Sequence, residues 1–289
     1  MNRWKRKEMG YAIGRTAILL VIGVALLFPV VLTVINSLMT EQEILANYSM
    51  LGSTESSQLV QLKWIPDWVS LQQYYQVLIA TPQYLYLFWN SVGLVVPIIV
   101  GQVVVAALAA FAFGKLQFPG REILFSIYLL AMLLPFQVTL VPNYIMIDQL
   151  GLMNKAASII LPGIFAAFGV FLLRQFMLQI PTAYIEAAKI DGASYFRIFR
   201  SIVLPMVKPG LAALVVLLFA DYWNMVEQPL IFLQNAEMQP LSVFLSRLQK
   251  EAFSVSFAAS VIYMIPMLLL FLLAEKYFIE GIELSGIKG

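Results

Sequence analysis

Residues 181–209 read PTAYIEAAKIDGASYFRIFRSIVLPMVKP. Charged Glu186, Lys189, Asp191, Arg197 and Arg200 are interleaved here with apolar Ile185, Ile190, Tyr195, Phe196, Ile198, Phe199, Ile202 and Val203. Pro181 suits a helix start, where a missing N–H costs nothing, and Glu186 places an acid near the first turn. Residues 184–190 have the length for two turns. Gly192 then permits a left-handed backbone, and a second helix can run from 193 to 203, ending before Pro205. Two short amphipathic helices at a sharp angle make a compact knob. Lipid has no use for such a knob, whereas a protein partner does. A plain interfacial amphipathic segment is the alternative reading of the same composition.

Long apolar blocks stand on both sides of this stretch, at 156–177 and 210–233, and others occupy 16–35, 90–113, 123–145 and 257–279. Each approaches the roughly 20 residues that one helical crossing needs. The 289-residue chain is 61% hydrophobic and 12% charged. Soluble domains carry about 25% charged residues, so too few charges remain to cover a water-facing surface. Lipid offers no partner for free backbone groups, so each block is expected as a helix. A transmembrane β-barrel shows short alternating segments instead. The expected fold is an all-α integral membrane protein with six transmembrane helices. The first block follows Arg3, Lys5, Arg6, Lys7 and Arg15, but it is longer than a signal-peptide core and lacks a small-residue cleavage pattern, so it reads as a retained span.

Lys and Arg set the orientation. With six spans both termini share a side, and the opposite side holds only Lys63, Lys155, Arg247 and Lys250 of the 18 basic residues. Both termini are therefore expected in the cytoplasm. The layout is a segment 1–15, a membrane domain 16–279 with a long outer loop 36–89 and the cytoplasmic loop 181–209, and a tail 280–289. No role is read from 46–61. Pro29, Pro97, Pro135, Pro142, Pro162 and Pro266 fall inside the spans, as packing kinks or as hinges. Cys and His are absent. That removes disulfides, thiolate and imidazole metal sites, and His-based catalysis, so no catalytic or metal residue is expected. A phosphate-binding loop is missing too: at Gly114-Lys115, Ala109 stands where its first Gly belongs and Leu116 where Ser or Thr belongs.

The fifth block carries Asp221, Asn224, Glu227 and Gln228. At 100° per residue on a continuous helix these fall within an arc of about 120°, with Trp223 at its border. Carboxylates, amides and an indole ring suit a sugar, whose hydroxyls take hydrogen bonds and whose ring face stacks. They equally suit a polar seam against another helix.

Glu186-Ala187-Ala188, then Asp191-Gly192-Ala193, Phe199, Ile202, Leu204-Pro205 and Pro209 together resemble the EAA loop of binding-protein-dependent ABC importer permeases. The pairs Asn90-Ser91 and Leu161-Pro162, the run from Pro135 through Pro142-Asn143-Tyr144, Gly151-Leu152-Met153-Asn154, and Asp221-Tyr222-Trp223-Asn224 with Glu227, Pro229 and Leu230 resemble the carbohydrate permeases among them. The tail GIELSGIKG at 281–289 is similar to that of the smaller maltose permease subunit. The resemblance implies a type I importer permease fold and a coupling surface on Glu186, Ala187, Ala188, Asp191, Gly192, Ala193, Phe199 and Pro205, which docks in a groove of a separate ATPase. It implies tail contacts to that ATPase from Ser285, Gly286 and Lys288. It further implies a heterodimer with a second permease, two copies of the cytoplasmic ATPase holding ATP and Mg, and an extracytoplasmic solute-binding protein. This chain would bind no cofactor and no nucleic acid, would not itself be an enzyme, and would sit in a bacterial or archaeal plasma membrane. An ABC permease for a non-sugar solute and an ion-coupled secondary transporter are the alternatives. A transporter of the latter kind calls for ionisable residues in several spans and related halves.

Overall fold

The computed structural model of the chain describes residues 3–48, 63–247 and 253–286, and all regular structure among them is helical. The helices are α1 (Arg3–Ser37), α2 (Glu41–Tyr48), α3 (72–80), α4 (Pro82–Lys115), α5 (Arg121–Met132), α6 (Phe136–Gln149), α7 (Ala157–Ile164) and α8 (Ala167–Leu178). They continue as α9 (Thr182–Ile190), α10 (Tyr195–Met206), α11 (Lys208–Trp223), α12 (Glu227–Phe232), α13 (Leu241–Ser246) and α14 (Phe253–Gly286). Four stretches are long and apolar enough to cross a membrane: Ile13–Ser37, Pro82–Lys115, Ala157–Leu178 and Val255–Tyr277. Two bent pairs, α5 with α6 at 99° and α10 with α11 at 74°, bring the total to six if each is one span.

The chain divides into two compact units, residues 1–85 with 247–264, and residues 86–246 with 265–289. In the first, the segment after α1 folds back on the end of that helix. Gln73 Nε2 donates to the carbonyls of Asn36 at 3.0 Å and Met39 at 2.7 Å, on either side of the last residue of α1. Asn36 Nδ2 donates to the Tyr48 hydroxyl at 2.7 Å, and the hydroxyls of Ser37 and Tyr74 share a bond of 2.7 Å. The outer loop is thus largely helical where described; 49–62, and with it most of the segment without an assigned role, lies outside the described residues.

In the second unit, small residues let helices approach closely. A Cβ on Gly101 of α4 would lie 2.6 Å from Ile164, one on Gly163 2.8 Å from Ile98 Cγ2, and one on Gly169 2.9 Å from the Ala106 Cβ. Gly210 of α11 is held as tightly against the Phe176 ring of α8. This is how membrane helices gain packing when burial from water supplies no drive between them.

Several sequence expectations need correction. The third block is two helices, because Pro135 takes an extended conformation (φ −65°, ψ 146°) and starts α6; it brings no N–H and disfavours a helical Leu134. The fifth block also breaks. Helix α11 ends at Trp223 and α12 begins at Glu227. Pro229 cannot donate to the carbonyl of Met225 four residues earlier, and its ring would strike it. That carbonyl instead accepts from Ser242 Oγ at 2.5 Å. The arc drawn through Asp221, Asn224, Glu227 and Gln228 assumed a continuous helix and does not hold. Helix α10 runs through Pro205 to Met206 rather than stopping before the proline. A wide π turn over Phe199–Val203 gives the proline ring room against the carbonyl of Ser201. Helix α14 runs on past 279 to Gly286. Ser285 and Gly286 lie in its last turn, and Lys288 lies outside the described residues.

Candidate functional site

Residues 181–206 form the helix–turn–helix. Pro181 is the N-cap of α9, and Asp191 its C-cap. Gly192 follows with φ +76°. Its N–H donates to the Lys189 carbonyl at 3.0 Å and that of Ala193 to the Ala188 carbonyl at 2.9 Å. These two bonds are the Schellman pair, which needs a left-handed residue at Gly192. Ser194 then caps α10, its Oγ accepting from the Arg197 N–H at 3.3 Å. Glu186 stands just beyond the first turn of α9, which itself holds no acid.

The knob is seated from below. The Phe199 and Phe111 rings pack at 5.2 Å, and Lys115 Nζ donates to the Ile180 carbonyl at 2.6 Å, both tying it to the last turns of α4. Ile185, Ala188, Ile198, Phe199 and Val203 are buried. Outward stand Tyr184, Ile190, Tyr195 and Phe196, all more than half exposed, with Ile190 at 87%. Of the residues expected to couple, Glu186, Ala187, Asp191, Gly192 and Pro205 are exposed, Ala193 is half-buried, and Ala188 and Phe199 form the support.

A cavity of about 760 Å³ opens among α5, α6, the α7–α8 junction, α11 and α12. Its polar groups are Tyr128, Thr139, Asn143, Asp221, Tyr222 and Gln228, set among Phe136, Phe165, Phe168 and Phe232. None of the described residues lining it is Lys or Arg. Two of the five residues expected to line a path are therefore in the wall, Asp221 and Gln228. Trp223 is buried between Phe88 and Phe219, at ring distances of 5.6 and 5.0 Å. Asn224 turns back to donate to the Ala220 carbonyl at 2.8 Å, and Glu227 is exposed in the first turn of α12. Sequence reasoning missed Tyr128, Thr139 and Asn143. The signal for Asn143 was present, in the polar residue that follows Pro142.

Three polar residues hold the chain beyond α12. Asn154, with φ +57°, accepts at Oδ1 from the N–H groups of Gln234 (2.6 Å) and Asn235 (3.2 Å), and its own N–H donates to the Phe232 carbonyl at 2.9 Å. Asn90 Nδ2 donates to the carbonyls of Glu237 (2.5 Å) and Gln239 (3.3 Å), and Ser91 Oγ accepts from the Leu241 N–H at 2.8 Å. These clamps fix the far end of α12 and hence the cavity wall formed by Gln228 and Phe232. Among the described residues no cluster of His, Cys, Asp or Glu could hold a metal ion.

Residues 13–283 match the family model of the binding-protein-dependent transport system inner membrane component. The chain is 30% identical over 227 residues to an arabinooligosaccharides transport system permease protein of Halalkalibacterium halodurans, covering 78% of this chain and 81% of that one. It is 33% identical over 201 residues to an sn-glycerol-3-phosphate transport system permease protein of Brucella abortus, covering 68% and 71%. Its fold is similar to that of a chain in the crystal structure of a bacterial ABC transporter involved in import of the acidic polysaccharide alginate, with a TM-score of 0.78 at 22% identity, covering 96% of this chain and 99% of that one.

Proposed function

We propose that this chain, which belongs to the family of binding-protein-dependent transport system inner membrane components, forms one half of the translocation path of an ATP-driven importer for a neutral polyhydroxylated solute such as an oligosaccharide. The observation that carries the ATP coupling is the knob. It is a rigid, Schellman-capped helix pair between two membrane segments, and it presents Tyr184, Ile190, Tyr195 and Phe196 to the surroundings. Such a face fits an apolar groove on a separate ATPase. ATP and Mg belong to two copies of that partner. A second permease closes the open side of the cavity, and a solute-binding protein delivers the cargo at the opposite face. Residues 1–15, the knob and 280–289 share the cytoplasmic side of the plasma membrane. Helix α14 extends nine residues beyond Tyr277, about 13 Å at 1.5 Å per residue, which brings Ser285 and Gly286 toward the ATPase.

The cavity supports the cargo class. Amide, hydroxyl and carboxylate groups beside aromatic rings suit hydroxyls and apolar ring faces. One relative is named for a phosphate ester, yet a carboxylate at Asp221 with no Lys or Arg in the wall disfavours an anion. Uptake by vesicles carrying this chain with its partner permease, ATPase and binding protein is the test. Uptake that requires ATP and saturates with an uncharged oligosaccharide is expected. Uptake driven by an ion gradient without ATP overturns the reading.

A further inference from the structure

Residues 63–71 read KWIPDWVSL, and no part of the proposed transport cycle uses them. Trp64, Ile65, Trp68, Val69 and Leu71 are exposed, with Trp68 at 79%, Ile65 at 77% and Val69 at 73%. Scattered exposed apolar side chains are ordinary on a protein surface, but five in one short run form a patch that needs an occupant. The placement of this run identifies one. The Trp64 ring packs edge-on against Phe28 at 5.2 Å. Phe28 lies inside the apolar stretch Ile13–Ser37, nine residues before its end, or about 13 Å along the axis. Near its other end the run is tied to the end of α1 by the Ser70 N–H, which donates to the Leu38 carbonyl at 2.8 Å. The run therefore lies alongside the last turns of α1 instead of standing beyond its end.

Its charges are also paired. Lys63 pairs with Asp67 and, at 2.9 Å, with Glu43. The Asp67 N–H donates to Glu43 Oε1 at 2.9 Å. Asp67 keeps most of its side chain exposed within this pairing, and the rest of the outward surface is indole and aliphatic, the mixed composition of a membrane-interface anchor.

We propose that residues 64–71 are seated in the bilayer leaflet at the Ser37 end of α1, with Trp68 and Ile65 among the upper acyl chains and headgroups. The partner is lipid, and the contact fixes the depth and tilt of the first span. The proposal rests on reading Ile13–Ser37 as a membrane span. A surface for a soluble partner would have to face water, and that is the distinction the test makes.

The chain has no cysteine, so Trp68→Cys and Ile65→Cys each provide a unique site for an environment-sensitive fluorophore. The labelled full-length chain is placed in nanodiscs whose lipids carry nitroxides near the headgroup or near the chain end, with iodide as the aqueous quencher. At both positions we expect blue-shifted emission, loss of most of the intensity with shallow nitroxides, and little effect of iodide. Quenching by iodide without quenching by nitroxide lipids overturns the proposal in favour of a water-facing docking surface. Silence toward both overturns it in favour of cover by protein. A label at Leu26→Cys, 70% exposed inside the span, is the control. If it too escapes deep nitroxides, the span assignment itself fails and the proposal falls with it.

Discussion

Gly192 offers a perturbation whose cost can be worked from geometry alone. Its φ is +76°, and a Cβ built there would meet nothing within 4 Å. A substitution therefore strains the backbone without creating a clash inside this chain. An L-residue in the left-handed region costs about 1–2 kcal/mol, and a β-branched one up to about 3 kcal/mol. Asn visits this region at little cost. The strain opposes the turn that closes the two Schellman bonds and so the geometry of the face formed by α9 and α10. If that face must be intact to bind the ATPase, the affinity falls by the strain: about 5–30-fold for Gly192→Ala, up to about 150-fold for Gly192→Val, and least for Gly192→Asn. The assay is retention of the ATPase by membranes carrying each variant, alongside the amount of permease inserted. Insertion should be unchanged, because it depends on apolar length and flanking charge. The order Asn, Ala, Val separates strain from bulk, since Asn is larger than Ala. Weaker retention in Gly192→Asn than in Gly192→Ala would mean that the side chain collides with the partner, and wild-type retention in Gly192→Val would sink the coupling assignment altogether.

Asn154→Ala removes two hydrogen bonds worth about 1 kcal/mol each and adds a left-handed alanine, so heat-inactivation half-life in nanodiscs should shorten; Asn154→Gly should lose only the bonds and fall between it and wild type. Gly163→Val forces a Cβ to 2.8 Å from Ile98 Cγ2 and should cost about 1–3 kcal/mol, with partial rescue by Ile98→Ala read from the same half-lives. Cysteine at Asp221 or Gln228 should react with a membrane-impermeant thiol reagent, whereas cysteine at Trp223, 2% exposed, should not; equal reactivity at all three would contradict the cavity wall described above.

Much of the fold was legible because its signals are local. Block length and low charge announced helices that cross a membrane, and the glycine between two short amphipathic runs announced a left-handed turn. What failed was the inference from helical projection. An angle of 100° per residue places Asp221 and Gln228 on one face only if no residue between them interrupts the hydrogen-bond ladder. Pro229 interrupts it through the carbonyl of Met225, four residues back, and that signal stood in the sequence beside the motif to which Pro229 was assigned. The clamps at Asn90, Ser91 and Asn154 were visible as family motifs, but their work was not. Each closes contacts to residues 232–241, about 80 or 150 positions away for the bonds measured, and such pairings leave no local pattern to read. On α5 and α6 the places of Tyr128 and Thr139 in the cavity wall were hidden for the same reason.

The broken helices and the cavity have one physical cause. A helix that stops inside a membrane releases carbonyls and N–H groups that lipid cannot satisfy, so irregular backbone at that depth persists only inside protein or beside water. The interruptions at 133–135, 165–166 and 224–226 all border the same space: Leu134 and Phe136, Phe165 and Ala166, Tyr222 and Gln228 are in its wall. Side chains take up part of the loss. Tyr222 reaches the Gly163 carbonyl and Gln102 the Ala166 carbonyl, each at a long 3.4 Å, while Asn224 and Ser242 cover the carbonyls of Ala220 and Met225. These are neutral donors, and Tyr222 stands in the cavity wall, where water or a solute hydroxyl can take its place at small net cost. A continuous helix frees no carbonyls in this way, because its own ladder consumes them. Breaking three helices around one space thus adds backbone polarity to the polar side chains of the wall, which suits the hydroxylated cargo that we propose.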